Sequence, residues 1–180
     1  MVYMLLGTGF EEMEAIAPLD LLRRAGVEVL TVGINEKTVY GGHNIGVATD
    51  ITLEEMDLTN TEMIVIPGGL GGVASIRASK PAMDALRFAY ENDKFVAAIC
   101  AGPTVLADLG ITDGKQATCY PGCEKGMGNA NVLENAAAVR DGKVITGTSA
   151  GCAIPFGLAL VEVLKGEAAA KAVATQIVIR

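Results

Sequence analysis

A chain of 180 residues, 51% hydrophobic and 19% charged, can bury a sizeable core, which excludes an intrinsically disordered protein. The net charge of −7 and the lack of a basic stripe exclude a nucleic-acid-binding surface. Apolar runs are broken by glycine, proline or charge before about 18 residues, so no membrane partner is predicted. Without the pattern of a signal peptide, the chain is predicted to be cytoplasmic. Residues 1–180 are predicted to form a single domain.

Short apolar strands alternate with helices along the chain. The predicted strands are Val2–Leu6, Val27–Val32, Met63–Ile66, Phe95–Ile99 and Val144–Thr146. A hairpin is predicted over Thr38–Val47, with Gly41-Gly42 available for its turn. The predicted helices are Glu11–Ala25, Pro81–Asn92, one that opens around Gly102-Pro103, Ile154–Leu164 and Glu167–Thr175. Pro18 must lie near the first turn of its helix or kink it, and Pro81 suits a first helical position.

This alternation predicts an α/β fold with a parallel sheet covered on both faces. In such sheets, ligands bind beyond the carboxyl ends of the strands. Three segments that follow predicted strands are expected to meet there: Gly7–Glu14, Pro67–Gly72 and Cys100–Pro103.

Cys100 is the strongest candidate for a reactive residue. It lies among small residues between a buried strand and a helix, as in a nucleophile elbow. A helix N-terminus is expected to favour the thiolate, although an inert buried cysteine is the alternative. Pro67-Gly68-Gly69 offers backbone N–H groups for an oxyanion site, or else forms an ordinary turn between strand and helix.

Three glutamates follow the first strand, namely Glu11, Glu12 and Glu14. Acidic residues in a first helical turn ordinarily stabilise the helix dipole. A glutamate beside a thiolate would instead have a raised pKa and could move protons, but the residues themselves do not choose among the three. His43 is the only histidine; it is expected at the surface, with a Cys–His dyad as the alternative.

The other cysteines do not predict a metal site. Cys119 and Cys123 are spaced C-x3-C, a poor match to structural zinc, and a single histidine adds little to it. Cys119 is expected to be a partly buried free thiol, with a resolving or second redox thiol as the alternative. Gly7-Thr8-Gly9 is too short for a dinucleotide fingerprint, because Glu12 stands where the third glycine belongs.

Three segments in combination resemble the ThiJ/PfpI family: Glu11-Glu12-Met13-Glu14, Pro67-Gly68-Gly69 and residues 97–103. The resemblance extends over essentially the whole chain and is closest to the subgroup of the parkinsonism-associated protein deglycase. It implies a flavodoxin-like three-layer sandwich with a nucleophile elbow, a homodimer and cofactor-free chemistry. Family activities include conversion of methylglyoxal to lactate, a deglycase activity, redox sensing and a chaperone-like role.

The resemblance also implies roles for individual residues. It marks Cys100 as the nucleophilic, oxidation-sensitive cysteine and Glu14 as the carboxyl group that hydrogen-bonds its sulfur. The groups that it places in the substrate or oxyanion pocket belong to Gly68, Gly69, Ala101 and Tyr120.

Several positions depart from the family pattern. Tyr120 stands where the subgroup often has a histidine, and His43 and Thr148 stand where it often has arginines, so the pocket is predicted to be less basic than usual. Ala101 follows Cys100 where the protease-like branch has a histidine, which argues against peptidase activity. No histidine follows Cys100 at all, which excludes a class I glutamine amidotransferase.

The leading hypothesis is a cysteine-dependent glyoxalase or deglycase that acts on methylglyoxal or related small dicarbonyls. The alternative is an oxidative-stress sensor or chaperone in which Cys100 oxidises without physiological turnover. A family member with an unrelated metabolic substrate is a third reading, because His43 and Thr148 replace arginines.

Overall fold

A computed structural model describes residues 1–179. Its strands are β1 (Val2–Leu6), β2 (Val29–Gly33), β3 (Thr38–Tyr40), β4 (Gly46–Ala48), β5 (Ile51–Thr52), β6 (Met63–Ile66), β7 (Phe95–Ile99), β8 (Gln116–Ala117), β9 (Asn131–Val132), β10 (Ala138–Asp141) and β11 (Val144–Gly147). Its α-helices are α1 (Glu12–Arg24), α2 (Leu70–Ala78), α3 (Lys80–Glu91), α4 (Pro103–Asp108), α5 (Ala153–Lys165) and α6 (Glu167–Gln176).

Seven strands form the central sheet in the order β10-β11-β7-β6-β1-β2-β5. Neighbouring strands run parallel, except for the antiparallel edge pair β10 and β11. β1 and β6 are buried along their whole length, as strands covered on both faces must be. The predicted α/β fold with a mostly parallel sheet is therefore confirmed.

Helices cover both faces of this sheet because successive side chains of a strand point to opposite faces. Met4 and Leu6 of β1 belong to the hydrophobic core that α1, α5 and α6 complete. Tyr3 and Leu5 belong to the second core, which α2, α3 and α4 complete. The result is the three-layer arrangement expected of a flavodoxin-like sandwich.

The hairpin and the prolines differ in detail from the prediction. β3 and β4 pair antiparallel, but residues 41–45 connect them, so the turn is longer than Gly41-Gly42 alone. Pro18 lies inside α1 beyond its first turn, where it cannot donate a backbone hydrogen bond to the preceding turn. Pro81 is the second residue of α3, because Ser79 caps that helix by accepting a hydrogen bond from the Ala82 N–H.

Helix α2 is a helix that the sequence does not predict, because two of its first three residues are glycines. The fold requires those glycines for close packing. A Cβ atom on Gly72 would lie 2.7 Å from the Cα atom of Phe10, and one on Gly71 would lie 3.0 Å from the Cα atom of Gly9. Only residues 67–69 therefore form the turn after β6, and α2 starts immediately beyond it.

In the part of the chain that the structure describes, no helix is both long and apolar enough to cross a membrane.

Candidate active site

Cys100 lies at the sharp turn between β7 and the start of α4. Its φ angle is +66°, a left-handed conformation that L residues other than glycine, asparagine and aspartate rarely adopt. Two backbone hydrogen bonds hold the turn: Cys100 N–H donates to Gly147 O at 2.9 Å, and Tyr120 N–H donates to Cys100 O at 2.8 Å. This geometry confirms the predicted elbow and aims the half-buried thiol at the carboxyl edge of the sheet.

Two backbone N–H groups lie near the sulfur. Contacts with those of Ala101 and Gly69 each lower the pKa of Cys100. Glycine is required at position 69, because its φ angle is +86° and a Cβ atom there would lie 2.5 Å from Gly9 O and 2.6 Å from Glu11 N. The two residues therefore supply donors of the kind that stabilise negative charge on a neighbouring atom.

Glu14 is the carboxyl group beside Cys100. It has no exposed surface, and its Oε2 accepts a hydrogen bond of 2.8 Å from Gly68 N–H. Its Oε1 is buried and has no conventional hydrogen-bond partner among the described residues. A buried carboxyl oxygen left in this way favours the protonated form of the group, which could donate a hydrogen bond itself.

Burial raises the pKa of Glu14 to about 7, although the contacts with Cys100 and Gly68 oppose that shift. Burial, as the largest cause, and the neighbouring Glu14 carboxylate together raise the pKa of Cys100 to about 12. The thiolate is therefore not favoured overall, contrary to the expectation for this turn. The N–H groups do act in the expected direction, but burial and the neighbouring carboxylate outweigh them.

Gly68 is the reason that the thiol and the carboxyl group can approach each other. A Cβ atom at this position would lie 2.5 Å from Glu14 Oε2 and 2.6 Å from Cys100 Cβ. No side chain larger than hydrogen fits there without displacing one of the two groups.

His43 does not belong to the cysteine centre. It is an exposed residue whose backbone N–H donates to Glu12 Oε1 and whose Nδ1 contacts Glu12 Oε2, both at 2.7 Å. The predicted surface position is confirmed, and the pairing raises the pKa of His43. Glu11, Glu12 and His43 hold ligand-type atoms within 4.8 Å of one another, but His43 already occupies both oxygens of Glu12.

Tyr120 and Thr148 reach the site in different ways. The backbone of Tyr120 holds Cys100, whereas its side chain is 48% exposed and makes no hydrogen bond within residues 1–179. The Thr148 hydroxyl lies 2.9 Å from Thr118 Oγ1 and also donates to Ala136 O. Because the Thr148 hydroxyl makes these hydrogen bonds within the fold, it does not provide the free, charged donors that an arginine would.

The sequence does not single out Gly147, although its carbonyl group fixes Cys100. The signal that could have found Gly147 is the predicted late strand, because β11 pairs parallel with β7 and places Gly147 opposite Ile99. Cys119 is buried and Cys123 and Cys152 are half-buried, and all three are free thiols.

The three segments meet at the carboxyl edge of the sheet. There Gly68 O accepts a hydrogen bond from Glu11 N–H in the first segment, and Gly68 N–H donates one to the Glu14 carboxyl group. The profile of the DJ-1/PfpI family matches residues 1–163 of the chain. The chain belongs to this family. The ThiJ/PfpI family that the sequence motifs resemble is this same family.

Individual relatives agree with this assignment. The protein dj-1beta of Drosophila melanogaster is 36% identical over 91% of this chain and 88% of its own. Its crystal structure matches with a TM-score of 0.94 over 99% of this chain and 97% of that one. The DJ-1 of Toxoplasma gondii, solved in a form described as oxidized, is 31% identical with a TM-score of 0.91, over 98% and 97% of the two chains. A deglycase of Pyrococcus horikoshii is 32% identical over 73% of this chain and 78% of its own.

Proposed function

We propose that this DJ-1/PfpI protein is a cysteine-dependent, cofactor-free enzyme of the glyoxalase or deglycase type. Its substrates would be methylglyoxal or related small dicarbonyls, and it would work in the cytoplasm as a homodimer. One observation carries the proposal: the Cys100 sulfur lies between two N–H donors and a buried carboxyl group with a pKa of about 7. The deglycase name of the Pyrococcus relative supports the same reaction class.

Glu14 provides the base for the first step. Near neutral pH its carboxyl group is partly ionised, so it can accept the proton of the Cys100 thiol as the sulfur attacks. A C–S bond forms to the aldehyde carbon, and the carbonyl electron pair moves to oxygen. The N–H groups of Gly69 and Ala101 stabilise that oxyanion, which then takes the proton back from Glu14 to give a hemithioacetal.

The same carboxyl group completes the conversion. Glu14 removes the C–H proton of the former aldehyde carbon to give an enediolate and returns a proton to the adjacent carbon, while the hydroxyl proton of the hemithioacetal moves to the oxygen on that adjacent carbon. The product of this transfer is a thioester on Cys100. Water then cleaves the C–S bond, which releases lactate and restores the thiol, so that methylglyoxal and water together balance lactic acid.

Methylglyoxal consumption without glutathione, with lactate as the readout, tests the mechanism. Wild-type protein should turn the substrate over, and Cys100→Ser should abolish turnover because the serine hydroxyl is a far weaker nucleophile. Cys152→Ser is the matched control, since Cys152 is also half-buried but does not belong to this centre. Retained activity in Cys100→Ser would rule the mechanism out.

A redox sensor is the second candidate, and a particular observation favours it. The unpartnered Oε1 of Glu14 suits a protonated carboxyl group that donates to an oxidised sulfur, and Gly69 and Ala101 could bond sulfinate oxygens. The oxidized form in which the Toxoplasma relative was solved adds support.

Peroxide titration followed by intact and peptide mass spectrometry separates the two candidates. The sensor hypothesis expects Cys100 to gain two oxygen atoms before the other three cysteines react, with no turnover of dicarbonyls. Oxidation of Cys123 or Cys152 ahead of Cys100 would contradict it.

A further inference from the structure

A cavity of about 250 Å³ lies between α2, α4 and the turn that follows Tyr120. The candidate reaction does not use it. Its walls are formed by Leu70, Val73, Arg77, Ala101, Thr104, Gly122, Cys123 and Gly126.

Two of its wall residues connect the cavity to the reactive sulfur. Ala101 lines the cavity, and its N–H is also one of the contacts that lower the pKa of Cys100. Leu70 lines it too, and follows directly after Gly69, the second N–H donor. These two residues place the cavity next to the backbone that faces the sulfur.

Among residues 1–179, Arg77 is the only charged residue in the cavity wall. Its Nε donates to Asp108 at 2.6 Å and its Nη2 donates to Thr104 Oγ1 at 2.8 Å. These bonds fix the orientation of the guanidinium group, and they use two of its five N–H donors. A guanidinium group held in this way is suited to a planar carboxylate, which it can bind through two parallel hydrogen bonds.

Neither Thr148 nor His43 offers such a group, because the Thr148 hydroxyl is bonded within the fold and His43 is bonded to Glu12. Leu70, in contrast, is 81% exposed at the rim of the cavity, where a short hydrocarbon chain would cover it. The chemistry of the walls therefore matches a few apolar carbons that end in an anion.

We propose that this cavity binds the carboxylate end of a substrate that is an α-oxoaldehyde with a short carbon chain, with Arg77 as the residue that recognises the anion. The assignment rests on the proposed dicarbonyl chemistry of Cys100 and makes its substrate class narrower. Methylglyoxal would then be a minimal substrate that reaches the sulfur and leaves Arg77 without a ligand.

Kinetics with two α-oxoaldehydes test the assignment. We expect kcat/KM to be higher for 4,5-dioxopentanoate, which carries a carboxylate, than for methylglyoxal. In Arg77→Gln the ratio of the two values should fall about tenfold, the low end for loss of a charged hydrogen bond at a partly exposed group. Arg77→Lys should recover part of the ratio, and Arg87→Gln, on the exposed face of α3, should keep the wild-type ratio. An unchanged ratio in Arg77→Gln would overturn the assignment.

A binding measurement separates this assignment from the proposed function, because it requires no turnover. Cys123 lines the cavity, so a ligand there should slow its alkylation by iodoacetamide, measured by peptide mass spectrometry. We expect protection of Cys123 by 4-oxopentanoate, which has no aldehyde, and none by the neutral 4-oxopentanamide. Cys152, outside the cavity, should react at the same rate throughout.

The two experiments fail in different ways. Protection of Cys123 that Arg77→Gln abolishes would support the site even if wild-type protein turned over no dicarbonyl, in which case only the enzymatic proposal would fail. Turnover of methylglyoxal with no protection of Cys123, or with equal protection by the neutral amide, would retain the enzyme and overturn the carboxylate site.

Discussion

The Glu14 carboxyl group titrates near neutral pH although it is fully buried. Its folded-state pKa of about 7 is above the ordinary value of 4.5, so the folded state binds the proton more tightly than the unfolded chain does. The stability that this binding contributes is complete below about pH 4.5 and is lost as the pH rises through 7.

Glu14→Gln removes this titration. The free energy of unfolding of the variant, relative to wild type, should rise by roughly 3 kcal/mol between pH 4.5 and 7 and then stay constant. Urea unfolding at a series of pH values measures the difference. Glu28→Gln changes an exposed glutamate and should retain the wild-type pH dependence. A pH-independent difference for Glu14→Gln would show that Glu14 does not titrate in this range.

The same substitution should change the reactivity of Cys100. Loss of the neighbouring negative charge lowers the pKa of the thiol, so a larger fraction is thiolate at pH 7.5. We expect Cys100 in Glu14→Gln to react with iodoacetamide about tenfold faster than in wild type. Cys152 provides an internal reference, and slower labelling of Cys100 in the variant would contradict the charge argument.

Gly68→Ala tests the close approach of the thiol and the carboxyl group. The added methyl group would lie 2.5 Å from Glu14 Oε2 and 2.6 Å from Cys100 Cβ, so one of the two must move. We expect a stability loss of about 1–3 kcal/mol and a loss of most Cys100-dependent turnover. In Gly151→Ala the nearest atom would lie 3.8 Å away, and both properties should remain close to wild type.

At this scale the sequence predicts which residues lie at the site better than it predicts their ionisation. The small residues around Cys100 indicate the elbow, and the acidic run after β1 narrows the carboxyl group to three candidates. The raised pKa of Cys100 depends on burial and on Glu14, which is far away in the sequence, so no local pattern reveals it.

Among the elements, α1 and α5 pack against each other through a glycine contact. A Cβ atom on Gly157 would lie 2.9 Å from the Cα atom of Pro18 and 2.7 Å from Leu21 Cδ1. Gly157→Ala should therefore destabilise the protein, because the clash with backbone outweighs the roughly 1 kcal/mol of helix propensity that alanine gains. Thermal unfolding measures the sign, and a higher Tm in the variant would show that the helices separate easily.

Apolar runs in the sequence predict strands well, but close contacts between distant backbone segments leave no such pattern. The bounds of β1, β6 and β7 agree with the sequence because each strand is a continuous apolar run, which ends at Gly7 after β1, at Pro67 after β6 and at Cys100 after β7. Helix α2 escapes prediction because Gly71 and Gly72 weaken its helical signal, and their reason lies in the distant Gly9 and Phe10. Similarly, β5 is only two residues long and is specified by pairing with β2.

The whole molecule carries an apolar groove of about 540 Å³ between α1, α5 and the β3–β4 connection. Its exposed apolar side chains are Met13, Ile16, Ile45 and Ile154. The proposed homodimer would bury this groove, and a charge at its centre should prevent association. Ile154→Asp should elute as a monomer in light-scattering chromatography, whereas Val178→Asp, which is exposed elsewhere, should not change the mass. A dimeric Ile154→Asp would place the interface on another surface.

The order of the strands also determines when the reactive centre can exist during synthesis. The elbow needs Gly147 to hold Cys100, and β11 can pair with β7 only after residue 147 has left the ribosome. The central strand β1 pairs with β2 and β6, so the sheet is built from contacts between distant parts of the chain, which form slowly. A nascent chain that ends before β11 therefore lacks the hydrogen bond from Cys100 to Gly147, so the elbow can close only after β11 has been synthesised.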